Sequence, residues 1–250
     1  MKKTVYETHN KNLPDGFCIA VVSDLHGGDP EKVIDMLKNE APDLILMPGD
    51  IFERLDGTVD DIFSNGYRML SEASKIAPTF YSTGNHEDGA TRSWSPAWKN
   101  RIKKRIYHEE SIKRIKESGA IFLDDSYVIC NGIAIGGLSS GLINEGGIPN
   151  TEWLQSFCKE DAPKVLLCHH PEYYEKYLKA LPIDLTVSGH AHGGQWRFFG
   201  RGVFAPGQGI FPKYTYGIHQ DRFVISTGLK TGHIPRFFNP PEVVFIKVKG

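Results

Sequence analysis

Five short apolar runs, each ending in a tight group of Asp, His, Asn and Gly residues, set the strongest limit on how this chain can fold. They are FCIAVVSDLHGG with its run at 17–22, DLILMPGD at 43–50, PTFYSTGNHE closing at Glu87, KVLLCHHP from Lys164 and DLTVSGHAH from Asp184. Apolar runs without polar alternation suit strands covered on both faces. Helical patterns separate the early runs. DPEKVIDMLKNEAP has an Asp start signal, Val33 and Leu37 on one face and a stop at Pro42. VDDIFSNGYRMLSEASKIAP is a second pattern, weakened at Gly66. PAWKNRIKKRIYHEESIKRIKESG is a third, closing at Gly119, and PEYYEKYLKALP is a fourth. Strand and helix in alternation predict βαβ units and a largely parallel sheet.

After Gly119 the texture changes. AIFLDDSYVICNGIAIGGL reads as short strands around a turn at Asn131-Gly132. From Trp196 the chain is rich in Gly, Pro and aromatic residues, and it closes with RFVISTG and EVVFIKVK. A second, mixed sheet packed on the first is expected. With 250 residues, no internal repeat and no linker, the expectation is one α/β domain over 1–250.

Bulk properties narrow the function classes. The hydrophobic share of 40% and charged share of 24% are those of an ordinary globular protein. A formal net charge of -1 offers no polycation, so no specific nucleic-acid partner is expected. MKKTVYETHNKNLPDGF has no apolar stretch of the secretory kind. No apolar run approaches the roughly 18 residues that span a bilayer. Cys18, Cys130, Cys158 and Cys168 are scattered, which fits reduced thiols in a cytoplasmic protein.

The clusters at the run ends carry the chemistry. Together they offer Asp24 and His26, Asp50, Asn85 and His86, His169, then His190 and His192. Carboxylate, imidazole and amide oxygen are ligands that Mn, Fe and Zn accept. Parallel strands would bring these distant clusters to one sheet edge, where ligands bind in open α/β sheets. Gly49, Gly84 and Gly189 each precede a candidate ligand by one residue and would permit sharp turns that aim side chains off a strand end. Singly, D-x-H, G-D and H-H-P are common strings. As an ordered set of five they point to one metal site.

DLH, GD, GNHE, CHHP and GHAHGGQ, in that order, resemble the motifs of the calcineurin-like metallophosphoesterase superfamily. The resemblance runs from about Ile19 to the C-terminus and is nearest to a bacterial-type branch ending in G-H-T-H-G-G-Q, with Ala191 in place of the Thr. It implies a four-layer α/β/β/α sandwich of two mixed sheets flanked by helices, with two divalent ions (Mn, Fe or Zn) at the sheet edge. By matching motifs, Asp24, His26 and His192 would bind one ion, and Asn85, His169 and His190 the other. Asp50 would bridge them. Two cations about 3.5–4 Å apart would hold a bridging hydroxide that attacks phosphorus in line with the leaving oxygen. His86 would protonate that oxygen, its imidazole held by an Asp or Glu that the sequence does not identify. The resemblance thus implies hydrolysis of a small phosphorylated substrate, with phosphodiesters or pyrophosphates ahead of monoesters. A non-catalytic scaffold of the same fold is the rival reading, and such a protein should have lost ligands.

Several segments stay open. His170 reads as a plain loop histidine in preference to one that orients a ligand. Arg197 is placed to meet a phosphate, as are His233 and Arg236, although solvent-facing arginines are commoner. The aromatic residues from Gln195 to Gly232 read as core packing ahead of a substrate wall or lid. The basic stretch ending at Gly119 reads as a solvated amphipathic helix ahead of a peripheral membrane contact.

Overall fold

A computed structural model of the chain describes residues 1–53, 55, 61–88, 108–141, 147–230 and 235–250. In chain order the first half runs β1 (Lys2–Thr8), β2 (Cys18–Val21), α1 (Glu31–Glu40), β3 (Leu44–Pro48), α2 (Asp61–Ser74), β4 (Thr79–Ser82), α3 (Glu109–Glu117) and β5 (Ile121–Phe122). The second half runs β6 (Ser126–Cys130), β7 (Ile133–Leu138), α4 (Leu154–Phe157), β8 (Lys164–Cys168), β9 (Leu185–Ser188), the short pairs β10 (Arg197–Phe198) with β11 (Arg201–Gly202) and β12 (Phe204–Ala205) with β13 (Gly209–Ile210), then β14 (Gly217–His219), β15 (Phe223–Ile225) and β16 (Glu242–Val248). Two six-stranded sheets result, in the orders β1-β16-β2-β3-β4-β5 and β14-β15-β9-β8-β7-β6.

The unalternating runs are explained by what covers each face. Ile19 and Val21 of β2, Leu44 and Leu46 of β3 and Phe80 of β4 meet Ile135 of β7, Val165 and Leu167 of β8 and Val187 of β9 between the sheets. The intervening residues Ala20, Ile45, Met47 and Tyr81 point the other way, onto Leu37 of α1, Leu70 of α2 and Ile115 of α3. On the far side, Leu166 and Phe223 pack against Leu154 and Phe157 of α4. The layers are therefore α/β/β/α, and each fully buried Leu, Ile or Phe contributes about 1.5–3 kcal/mol to holding them together.

Both sheets are mixed. β2, β3, β4 and β5 pair in parallel, whereas β16 runs antiparallel to β2. β1 joins the edge in parallel with β16, a strand hidden in the sequence because its buried positions include Thr4 and Thr8. The Asn131-Gly132 turn forms as expected. Cys130 pairs with Ile133, and the two loop residues take φ of 50° and 76°, as a two-residue hairpin of this twist requires.

One helical expectation changes. The fourth, over 171–182, is a single π-type turn at Tyr174–Leu178, closed by Lys179 N–H donating to the Tyr174 carbonyl at 2.8 Å. Tyr174 lies flat on Phe223 at 4.0 Å between ring centroids, and that stacking anchors the wide turn. Of the third, residues 96–107 lie outside the described residues. Its remainder is α3, which directs Ile112 and Ile115 inward and ends at Gly119 with φ +86°.

α2 runs straight through Gly66. A Cβ there would sit 2.4 Å from Cδ1 and Cε1 of the buried Phe52 ring. Helix propensity favours Ala by up to about 1 kcal/mol. Overpacking of a filled core costs about 1–3 kcal/mol. Gly66→Ala is therefore expected to lower the thermal unfolding midpoint by a few degrees, and a higher midpoint would show that the Phe52 ring yields freely.

Candidate metal centre

The strands of both sheets deliver the candidate residues to one place. Asp24 and His26 follow β2, Asp50 follows β3, Asn85 and His86 follow β4, His169 follows β8, and His190 and His192 follow β9. The loops are tied to one another by backbone bonds. Asp24 N–H donates to the Gly49 carbonyl (3.1 Å), His26 N–H to the Asp50 carbonyl (2.9 Å) and Gly189 N–H to the His169 carbonyl (3.2 Å). His190 N–H donates to Asp24 Oδ1 at 3.0 Å, joining the first cluster to the last. Asp24, His26, Asp50, His190 and His192 all adopt positive φ, between 45° and 63°. Left-handed backbone is uncommon for such residues, and five cases in one site mark strain that the surrounding structure holds in place.

The side chains converge in two neighbouring groups. Asp24, His26 and His192 form one, and Asp50, His169 and His190 the other, each offering ligand atoms within 4.8 Å of one another. Asp50 Oδ2 lies between them, 3.5 Å from His26 Nε2 and 3.2 Å from His169 Nε2. Asn85 Oδ1 is 3.2 Å from His169 Nε2. His169 Nδ1–H donates to the Pro48 carbonyl at 2.7 Å, which turns Nε2 toward Asp50. Asp24 Oδ2 and His26 Nε2 are buried without a hydrogen-bond partner. An orphan carboxylate oxygen next to an orphan imidazole nitrogen is what a divalent cation would satisfy, so the donor set fits one.

The glycines do two different jobs. Gly49 has φ +86° and makes the expected sharp turn. Gly84 and Gly189 do not take positive φ; they are small because carboxylates occupy their Cβ positions. A Cβ on Gly84 would lie 2.2 Å from Asp50 Oδ1, and one on Gly189 would lie 2.5 Å from Asp24 Oδ2.

Three acids around the cluster escaped the sequence reading, and one base is placed differently from it. Glu53 is the carboxylate that holds His86, with Oε1 3.1 Å from His86 Nδ1, while its Oε2 is 3.1 Å from His26 Nδ1 and accepts from Lys230 at 3.2 Å. Its place three residues after Asp50 in GDIFE is the only sequence clue. Glu87 accepts three backbone N–H groups, from Asp50 (2.9 Å), Phe52 (3.0 Å) and Gly84 (2.9 Å). Arg236, read as solvent-facing, places Nη2 3.1 Å from His192 Nδ1. Glu172 lies 3.2 Å from His170 Nδ1. His170 lies in a loop as read but is not a plain loop residue, for it is buried with its Nε2 2.8 Å from Ser140 Oγ and its ring 4.3 Å from that of His190.

Arg197 donates from Nε to the Gly193 carbonyl at 3.0 Å and stacks over the Tyr216 ring at 3.5 Å. Its Nη2 is buried without a partner. His233 lies outside the described residues.

Charge is finely divided in this space. Burial would raise the Asp50 carboxyl, but the imidazoles of His169, His86 and His26 outweigh it and hold it well below the ordinary range. The reciprocal effect lifts His169 to about 10 against its own burial, chiefly through Asp50. Burial pushes His26 down, and it pushes His192 down to about 4 and His190 well down, with neighbouring imidazoles adding to the effect at the last. Neutral imidazoles are the form that ligates metals. Burial also lowers His86, yet Asp50 and Glu53 overcome it and leave it raised.

Comparison with known proteins gives one consistent result. Residues 18–194 match the family described as calcineurin-like phosphoesterase. The chain is 27% identical over 261 residues to an uncharacterized metallophosphoesterase of Aquifex aeolicus, covering 98% of this chain and 90% of that protein. It is 24% identical over 252 residues to the uncharacterized metallophosphoesterase YkuE of Bacillus subtilis, covering 94% and 80%. A transmembrane protein with metallophosphoesterase domain from Bos taurus is 26% identical over 187 residues, 71% of this chain and 40% of that longer protein.

Proposed function

The chain belongs to the calcineurin-like phosphoesterase family, and on that premise we propose that residues 1–250 form one domain that hydrolyses a small phosphorylated substrate at a binuclear metal centre. The observation that carries this reading is the position of Asp50 Oδ2, within 3.5 Å of His26 Nε2 on one side and 3.2 Å of His169 Nε2 on the other. Asp24, His26 and His192 would hold one divalent transition ion, and Asn85, His169 and His190 the second, with Asp50 shared. Mn, Fe and Zn all suit these ligands. When bound, such a pair supplies an acidified water and positive charge for the phosphoryl oxygens.

The chain's own residues do the rest. Glu53 accepts the Nδ1 proton of His86 and fixes the ring, leaving Nε2 to give a proton to the leaving oxygen. The raised pKa of His86 favours the protonated form that this step needs. Its side chain is 20% exposed, against 1% for that of His26, so of these two neighbouring histidines His86 is the one that a substrate can reach. Arg197 has Nε and one guanidinium face committed to Gly193 and Tyr216 and its Nη2 buried, so a phosphate contact from this residue would fall to Nη1. Phosphodiesters or pyrophosphates are the favoured substrates over monoesters.

Three measurements test this. Metal analysis of purified protein should approach two transition-metal ions per chain. An assay with added Mn should then compare aryl phosphate monoesters with diesters, followed by nucleotides and nucleotide sugars. No turnover of any of them would favour a scaffold of the same fold. His86→Ala should lower kcat by about 10²–10⁴-fold with metal content unchanged. Loss of metal in that variant would make His86 a ligand instead.

A further inference from the structure

Among the described residues, every Trp or Phe that is exposed lies between Trp196 and Phe238. Phe199 is fully exposed, and Ile210, Phe211 and Phe238 are 73%, 74% and 81% exposed. These side chains belong to one surface. Phe198 and Phe238 rings are 6.4 Å apart, Trp196 bridges to Phe237, and Phe211 lines one cavity together with Gly200 and Arg201 of the β10–β11 hairpin. Phe199, Phe211 and Phe238 each have positive φ, from 50° to 53°. Bulky residues rarely accept that conformation, so the fold spends strain on presenting these rings outward. Exposed aromatic side chains held at loop tips are poorly explained by core packing, the function first read for this segment.

The charge on the same segment decides what covers it. Residues 195–238 contain Arg197, Arg201, Lys213, Arg222, Lys230 and Arg236, with Asp221 the only acid. Arg197, Arg222 and Arg236 bond inward, to Gly193, to Leu181 and Ile183, and to Thr227 and His192, and Lys213 and Lys230 pair with Glu175 and Glu53, so the cations beside the exposed rings are Arg201 and the Lys213 that lines the same cavity. The whole chain has a net charge of -1, so this is a local asymmetry. A cavity of about 490 Å³ beside the patch is lined by Arg201, Lys213, Tyr216 and His219, with exposed Phe211 at its wall. Aromatic rings flanked by cations match the interface of an anionic bilayer, where rings sit at headgroup depth and Lys or Arg meets the lipid phosphates. Pairing of two copies through this face would bring like charges together.

We propose that this surface docks the protein on an anionic membrane, with Phe199, Phe211 and Phe238 entering the interface and the Arg201 cavity receiving a lipid headgroup. The patch is joined directly to the metal centre. Trp196 follows His192 by four residues, and Arg236, which contacts His192, precedes Phe237. Docking there would hold the centre next to headgroup phosphates. The docking itself does not depend on the catalytic reading.

Vesicle co-sedimentation of the full chain tests it. The wild-type protein should pellet with phosphatidylcholine vesicles carrying one-third phosphatidylglycerol, bind pure phosphatidylcholine vesicles about tenfold more weakly, and release as salt rises. Phe199→Ser with Phe211→Ser should weaken partitioning on the order of tenfold or more while circular dichroism and hydrolysis of a soluble aryl phosphate stay as in wild type. Arg201→Gln should remove most of the preference for the anionic vesicles. Asp50→Asn protein should still bind, which separates failure of this proposal from failure of the catalytic one. Wild-type protein that stays in the supernatant overturns the proposal. So does a double Phe variant that binds like wild type. A dimer that dissociates in the double variant while wild type ignores vesicles would assign the patch to self-association instead.

Discussion

Asp50→Asn is expected to reduce hydrolysis on the order of a thousandfold or more and to drop bound transition metal well below two ions per chain. The geometry says why this loss would be chemical and not a failure to fold. Asp50 Oδ1 accepts the His86 N–H at 3.0 Å, and an asparagine carbonyl can do the same. The new amide would face His26 Nε2 and His169 Nε2, where the carboxylate oxygen now stands. Both nitrogens can accept from it in the metal-free protein. The charge that lifts His169 to about 10 would be gone, so that imidazole would become easier to deprotonate. What asparagine lacks is the second negative oxygen that two cations would share. Activity and metal content equal to wild type would refute the shared-ligand role, and thermal unfolding near the wild-type midpoint would confirm that the fold persists.

Glu87→Ala is expected to be the most damaging change to stability among the site residues. Its two oxygens accept N–H groups of Asp50, Phe52 and Gly84, all inside the protein. Each buried donor left without an acceptor costs about 1–3 kcal/mol. The sum is therefore about 3 kcal/mol or more, equivalent to roughly 10 °C in the unfolding midpoint of a chain this size. The same bonds hold the positive-φ turn at Asp50, so metal content should fall as well. Burial and the Asp50 charge push the Glu87 carboxyl up to about 8, with the N–H groups of Phe52 and Gly84 pulling it back. Gln is close in shape to the protonated acid. Its single carbonyl oxygen can take the Asp50 and Gly84 bonds now made by Oε2, so Glu87→Gln should fall between Ala and wild type. An Ala variant that melts with wild type would show that these loops are held by something else.

The residues most legible in the sequence were those whose job depends on type and order. Asp24, His26, Asp50, Asn85, His169, His190 and His192 each follow an apolar run, and a parallel strand delivers its end to the same edge every time. The five runs were readable for a related reason, because a strand buried on both faces has no polar alternation to keep. Less legible was anything defined by its partner. Glu53 and Glu87 are ordinary acids in a sequence with 30 of them; one becomes the clamp of two histidines and the other the anchor of three backbone N–H groups only through contact. Gly84 and Gly189 were read as turn formers, and only the packed carboxylates reveal that their lack of a Cβ is what counts. Helix 171–182 failed because a 3.6-residue pattern does not register a tyrosine stacked on a distant phenylalanine.

By itself, then, the chain's order of residues determined the two-sheet α/β class and singled out the candidate ligands, since both rest on local burial pattern and on chemistry that each residue carries alone. Tertiary structure decided which carboxylate serves which imidazole, that His170 and Arg236 belong to the site's surroundings, and that the aromatic residues after Gln195 divide between core and surface. Phe223 is buried and Phe199 is bare in the same stretch of chain. The physical reason is that hydrogen bonding and burial are properties of pairs brought together over long sequence separations, and no single position records them.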